Sequence, residues 1–285
     1  MKGEQVFSEP GPKTPALKGE PRSLAARLTE GPLSASFQIL SPLAALLVWE
    51  AGVAAGLMDR RFFPAPSTIF VALGQLLGTG ELLDHLIISL SRMAAGFLLG
   101  SIPGILLGLL MGWFRLLRAL LDPLVAATFP VPKIAILPLV MLIFGIGELS
   151  KVVIIAIGCF YLVLISSMAG VRNIDPVLIE AARNFGARGR RMFWKVVLPS
   201  TLPAIFTGLR LSLGVSLIVI VAAEFVAANR GIGYLIWISW QTLTTEHMYV
   251  GILVIGILGI LFTYGLERLG KAVMPWSVDF RTFRE

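Results

Sequence analysis

Four stretches of 19 to 22 residues carry no charged side chain: 31–49, 93–114, 152–171 and 248–266. A helix needs about 20 apolar residues to cross the hydrocarbon of a bilayer. Runs of that length predict an all-α, polytopic membrane protein. Composition agrees where it bears on this. The chain is 56% hydrophobic and 14% charged over 285 residues, against about 45–50% and about 25% in soluble domains. That balance excludes a disordered chain, a collagen-like fibre and a disulfide scaffold. A single cysteine, Cys159, permits no intrachain disulfide, and His85 and His247 are too few and too far apart to indicate a metal site.

Two further spans are interrupted. Residues 123–132 and 134–147 flank Lys133, with prolines at 123, 130, 132 and 138, and read as one broken span. Proline removes a backbone donor and kinks a helix, which membranes tolerate where neighbours satisfy the freed groups. Residues 211–223, closed by Arg210 and Glu224, are long enough to cross when 203–209 is added. Six spans result, at 37–57, 87–113, 120–145, 151–171, 202–227 and 247–268. The uncharged stretch 231–245 is shorter, opens Gly-Ile-Gly and holds Trp237 and Trp240. It reads as an interfacial or re-entrant helix, because tryptophan favours the membrane–water boundary.

Lysine and arginine set the topology. With the N-terminus inside, 17 of the 24 basic residues fall on the inner side and four on the outer side. That bias places both termini in the cytoplasm and accounts for the net charge of +7 without nucleic acid. Residues 1–36 lack a cleaved-signal pattern and read as a disordered cytoplasmic tail. Residues 37–271 form the transmembrane domain, and 272–285 a second cytoplasmic tail.

The cytoplasmic loop 172–199 is unlike the others. Asp175 followed by Pro176 is a helix start, an N-cap acceptor and then proline at the first helical position. Val177, Ala181 and Phe185 recur every four residues, and Gly186 supplies a left-handed cap. A second short, basic and aromatic segment covers 188–197, after which Leu198 and Pro199 return the chain to the membrane. Surface alanines on the first helix suit insertion into a partner's groove.

Glu180-Ala181-Ala182, three residues, Gly186, nine residues, then Val196 with Leu198 and Pro199 resembles the EAA loop of binding-protein-dependent ABC importer permeases. Val196 stands where that pattern has isoleucine. Trp49-Glu50, residues 63–67 and 130–138, Phe144 to Glu148, Glu224 and Gly231 to Leu235 are similar to the nitrate/sulfonate/bicarbonate (taurine-type) branch. The resemblance covers about 40–275. It implies a type I ABC importer permease fold in the cell inner membrane. It also implies a homodimer of permeases, two copies of an ATP-binding subunit and an extracytoplasmic solute-binding protein. Glu180, Ala181, Ala182, Gly186, Leu198 and Pro199 would then couple the spans to the ATPase. The solute would be small and anionic, such as sulfonate, nitrate or bicarbonate.

The chain lacks a Gly-x4-Gly-Lys-Ser/Thr phosphate loop, so ATP is expected on the partner and no cofactor, metal or catalytic residue here. A secondary carrier and an integral membrane enzyme are the alternative readings. Neither inverted repeats nor a polar catalytic cluster is visible. Arg210, Ser212, Ser216, Glu224 and Lys133 are candidates for the translocation path: the cations and hydroxyls suit an oxyanion, and Glu224 lies near the outer end of its span, where a structural bond is the alternative. For Arg210, Ser212 and Ser216 interhelical bonding competes with that role, and for Lys133 snorkelling does. For Glu50, helix packing or a buried arginine partner is expected ahead of solute contact. Gly96, Gly100, Gly104, Gly108 and Gly112 form a stripe for close helix packing.

Overall fold

The computed structural model describes residues 32–276. The expectations for 1–31 and 277–285 lie outside the described residues. Two compact units divide the chain, Met1–Val48 with Glu285, and Trp49–Arg284. In the first, residues 32–48 are helical and belong to α1 (Pro32–Ala54). Everything below concerns the second.

After the end of α1 come α2 (Pro66–Gly78), α3 (Glu81–Trp113) and α4 (Arg115–Thr128). A 3₁₀ turn, Lys133–Ile136, leads into α5 (Leu137–Phe144), followed by α6 (Glu148–Arg172) and α7 (Pro176–Asn184). Then α8 (Gly189–Met192), a π turn (Phe193–Val197), α9 (Leu198–Ala227), α10 (Ile232–Gln241) and α11 (Thr245–Val273) complete the chain.

Among the described residues, α3, α6, the continuous run Gly189–Ala227 and α11 are long and apolar enough to cross a membrane. The pair α4 and Lys133–Phe144 passes the same test only together, bent by 88°. The bend falls where the prolines interrupt the expected span. Four or five of the six expected spans are thus accounted for. The expected first span falls on α1, a 23-residue helix that crosses the boundary between the units. The helices outrun their charge-free cores. Helix α3 starts at Glu81 rather than at 87, with Glu81 and Asp84 in its first turn, where carboxylates complement the helix dipole.

One boundary needs correcting. The segment 188–197 is not a separate helix that turns back at Leu198 and Pro199, because it runs through the π turn into α9 as one 39-residue helix. A π turn widens the helix by one residue and gives a proline ring room that a regular turn denies it.

Helices α3 and α6 form the most extensive pair in the bundle. The glycine stripe explains it. A Cβ on Gly96 would lie 2.6 Å from Ile155 Cβ, one on Gly104 2.8 Å from the Phe160 carbonyl, and one on Gly112 2.5 Å from Val171 Cβ. On Gly100 and Gly108 it would collide with the carbonyls of Ala156 and Leu164. Glycine therefore lets the two backbones meet along five turns. Helix α9 packs on the other side of α6, burying Ile154, Ile155, Cys159, Val219 and Ile220 in one cluster.

Polarity is inverted relative to a soluble globule. Arg92 is 4% exposed, whereas Leu99 and Leu106 on the same helix are 61% and 58% exposed. Such outward leucines belong against lipid.

Candidate functional site

Polar structure gathers at the two ends of α6. At its C-terminal end lies the loop 172–199. The Asp175 carboxylate accepts the Val177 amide at 2.8 Å, and Pro176 occupies the first helical position of α7. At the other end, the Gly186 amide donates to the Arg183 carbonyl and the Ala187 amide to the Ala182 carbonyl, both at 2.9 Å. That pair of bonds is a Schellman cap, and it requires the left-handed φ of +80° found at Gly186. Helix α7 is thus fixed at both ends.

Its two faces differ from the sequence expectation. Ala182 turns inward with Ile179 and packs on the cluster around Leu109, Val171 and Met192, as does Leu198. Ala181 and Pro199 are half-buried and Glu180 is exposed. The outward face is carried by bulky apolar groups instead: Val177 is 69% exposed and Phe185 92%.

At the N-terminal end of α6 lies an ionic network, buried except at Glu148, that sequence reasoning did not assemble. Arg92 Nη1 donates to Glu224 Oε1 and to the Arg230 carbonyl, each at 2.7 Å. Its Nη2 reaches Glu148 Oε1 at 2.6 Å, and its Nε donates to the second Glu148 oxygen, completing a fork. Ser89 Oγ donates to the Glu224 carboxylate, 2.8 and 2.9 Å from its two oxygens. Lys151, 3% exposed, donates to the Gly147 carbonyl at 3.0 Å and sits 3.8 Å from Glu148.

The same groups cap α10. Its first amides have no partner inside their own helix. Gly231 N–H donates to His85 Nδ1 at 3.0 Å, Ile232 N–H to Ser89 Oγ at 2.8 Å and Gly233 N–H to Glu224 Oε2 at 2.8 Å. A Cβ on Gly231 would strike the Glu224 carboxylate, and one on Gly233 would lie 2.7 Å from the Val221 carbonyl. The Gly-Ile-Gly opening of α10 is therefore a packing requirement. A signal was present in the sequence, since three charges of both signs lay at the ends of apolar runs and such groups seek one another.

The other candidates have partners close by. Among the described residues Glu50 forms no ion pair with an arginine. Its oxygens accept the Ser67 amide at 3.0 Å and the Ser67 hydroxyl at 2.8 Å, which caps the first turn of α2. Arg210 Nη2 lies 3.2 Å from Glu267, tying α9 to α11. The Ser212 and Ser216 hydroxyls turn back to the Leu209 and Leu213 carbonyls of their own helix, and both side chains are buried. Lys133 Nζ gathers the carbonyls of Thr128, Phe129 and Val131 within 3.2 Å and stands 4.4 Å from the Tyr161 ring. It closes the C-terminal end of α4 at the 88° bend and borders an apolar cavity of about 640 Å³ with Tyr161 and Phe160.

With this geometry in place, the chain can be compared with known proteins. Residues 104–276 match the family model of the binding-protein-dependent transport system inner membrane component. The putative aliphatic sulfonates transport permease protein SsuC of Bacillus subtilis is 33% identical over 98% of this chain and 99% of its own length. The taurine transport system permease protein TauC of Escherichia coli is 37% identical, covering 83% and 88%. An inward-facing MetNI methionine ABC transporter chain superposes with a TM-score of 0.54 at 19% identity, over 67% of this chain and 95% of that one. It shares the fold.

Proposed function

Because the chain belongs to the binding-protein-dependent transport system inner membrane components, and so is the permease subunit of an ABC importer, we propose that it carries a small anion inward, most simply a sulfonate, and receives ATP-driven force through α7. The observation that carries the second part is the doubly capped α7, with Val177 and Phe185 bare on its outer face. Exposed apolar groups on a rigid helix outside the spans suit a groove on a protein partner. The Asp175 and Gly186 caps allow the helix to move as one body, so a push from the partner reaches α6 and α9 together.

In this reading ATP stays on the partner, and Glu180, Ala181, Ala182, Gly186, Leu198 and Pro199 transmit its force. Two permease copies, two ATP-binding subunits and an external solute-binding protein make up the complex, and both permease termini face the cytoplasm. The anion assignment draws on the sulfonate and taurine names of the relatives. Local bonding gives Arg210, Ser212, Ser216, Lys133 and Glu224 structural tasks, Glu224 through Arg92, Ser89 and the Gly233 amide.

Reconstitution tests this. The complex in proteoliposomes, with ATP on the ATPase side and liganded binding protein on the other, should accumulate radiolabelled taurine or another sulfonate. Gly186→Val should reduce uptake at least tenfold while insertion and stoichiometric assembly survive, because a β-branched residue at φ +80° breaks the cap. Normal uptake by that variant would contradict the coupling role.

A further inference from the structure

Beside the Arg92 network opens a cavity of about 710 Å³, roomy enough for a small organic molecule with its water. It lies at the N-terminal end of α6, and α7 follows the C-terminal end. At 25 residues and about 1.5 Å per residue, the two are roughly 37 Å apart along that helix. This is the end that the lysine and arginine bias places outside.

The lining has two parts. Arg92, Lys151 and Arg230 line it with Glu148, and the Glu224 carboxylate pairs with Arg92, so three cations stand against two carboxylates. Glu148 is engaged by the Arg92 fork, and four of the five Arg92 N–H groups are used on Glu148, Glu224 and the Arg230 carbonyl. Most charged donor capacity toward the cavity therefore rests on Lys151 and Arg230, and the exposed Asn229 amide adds neutral donors. The Lys151 ammonium has three N–H groups, and its contacts at hydrogen-bond distance use one of them, on the Gly147 carbonyl. The Arg230 guanidinium is exposed at the rim with a planar fork of donors. Apolar residues share the lining, Ile146 and Val226 among them. Low-dielectric surface beside clustered cations strengthens attraction for an anion and leaves a surface for a short alkyl chain.

We propose that this cavity is the entry subsite of the permease for a small amphipathic anion of the alkanesulfonate class. Lys151 and Arg230 hold the sulfonate oxygens, and Ile146 and Val226 receive the carbon chain. The assignment rests on the anion-import reading above and names where the anion first meets this chain.

The test uses the full permease–ATPase complex in proteoliposomes, with radiolabelled taurine and ethanesulfonate as probes and their binding protein present. Arg230→Gln should lower uptake per ATP hydrolysed about tenfold, the cost of one charge-assisted hydrogen bond, and Arg230→Lys should restore most of it. The binding-protein concentration that half-saturates ATPase stimulation should stay within twofold. Lys151→Gln should change uptake in the same direction, with co-purification of the ATPase reporting its folding. Unchanged uptake by Arg230→Gln overturns the subsite and leaves anion import standing. A half-saturation that rises in step with lost uptake also overturns it, in favour of a docking site for the binding protein. Failure of the wild-type complex to move either sulfonate overturns the anion reading itself and the subsite with it.

Discussion

Arg92 shows how a charge is kept inside an apolar bundle. It is almost fully buried, yet its guanidinium meets two carboxylates and a backbone carbonyl from three other segments. Removing one member of a buried ionic group leaves its partners uncompensated, which costs about 3–5 kcal/mol. Arg92→Ala should therefore lower the detergent melting temperature sharply and reduce the monodisperse fraction on size-exclusion chromatography, with Arg92→Lys falling between. A melting temperature equal to wild type would sink the structural role. The sequence marks Glu224 as notable, but its pairing with Arg92 spans 132 residues and is set by helix packing. The expectation of a buried arginine partner for Glu50 was misplaced for a related reason. A nearer group, Ser67, offered both a hydroxyl and a free helix-end amide, and an unsatisfied amide at a helix start attracts a carboxylate as well as a cation does.

At the scale of elements, what was readable followed from periodicity and punctuation. Glycine every four residues in α3 announced a close helix contact, and Asp-Pro with Gly186 announced both ends of α7. Prolines announced the broken span. The identity of the glycine stripe's partner, α6, and the 88° bend were not readable, because both depend on contacts between distant segments. Nor was the fusion of 188–197 to α9, since a π turn leaves no sequence pattern of its own. The stripe yields a direct prediction. Gly104→Val places its Cβ 2.8 Å from the Phe160 carbonyl and must part α3 from α6, whereas Gly74→Ala in α2 meets nothing within 4 Å. Thermal unfolding in detergent should show a loss of several degrees or failure to fold for the first, and near-neutral behaviour for the second. Equal stability of the two would show that the stripe does not set the helix contact.

For the whole molecule, α6 joins the two polar ends of the bundle, the ionic network with its cavity at one end and the capped, bare-faced α7 at the other. Alternating access needs such a connection, because force received at one end has to change exposure at the other. The ionic network holds α3, α6, α9 and α10 together, so these helices are expected to move as a body. Lysine and arginine placement predicts a sidedness from the sequence alone, whereas the cavity is assembled only when residues from α3, α6 and the α9–α10 connection meet.

The most direct test of force transfer through α7 exploits the single native cysteine. Cys159 is fully buried, so a Val177→Cys variant carries one accessible thiol among the described residues. Maleimide labelling of that thiol should be rapid in the isolated permease. It should fall at least tenfold when the ATP-binding subunit is bound, and it should change again on adding ATP. Labelling that is equally fast with and without the ATP-binding subunit would contradict coupling through α7.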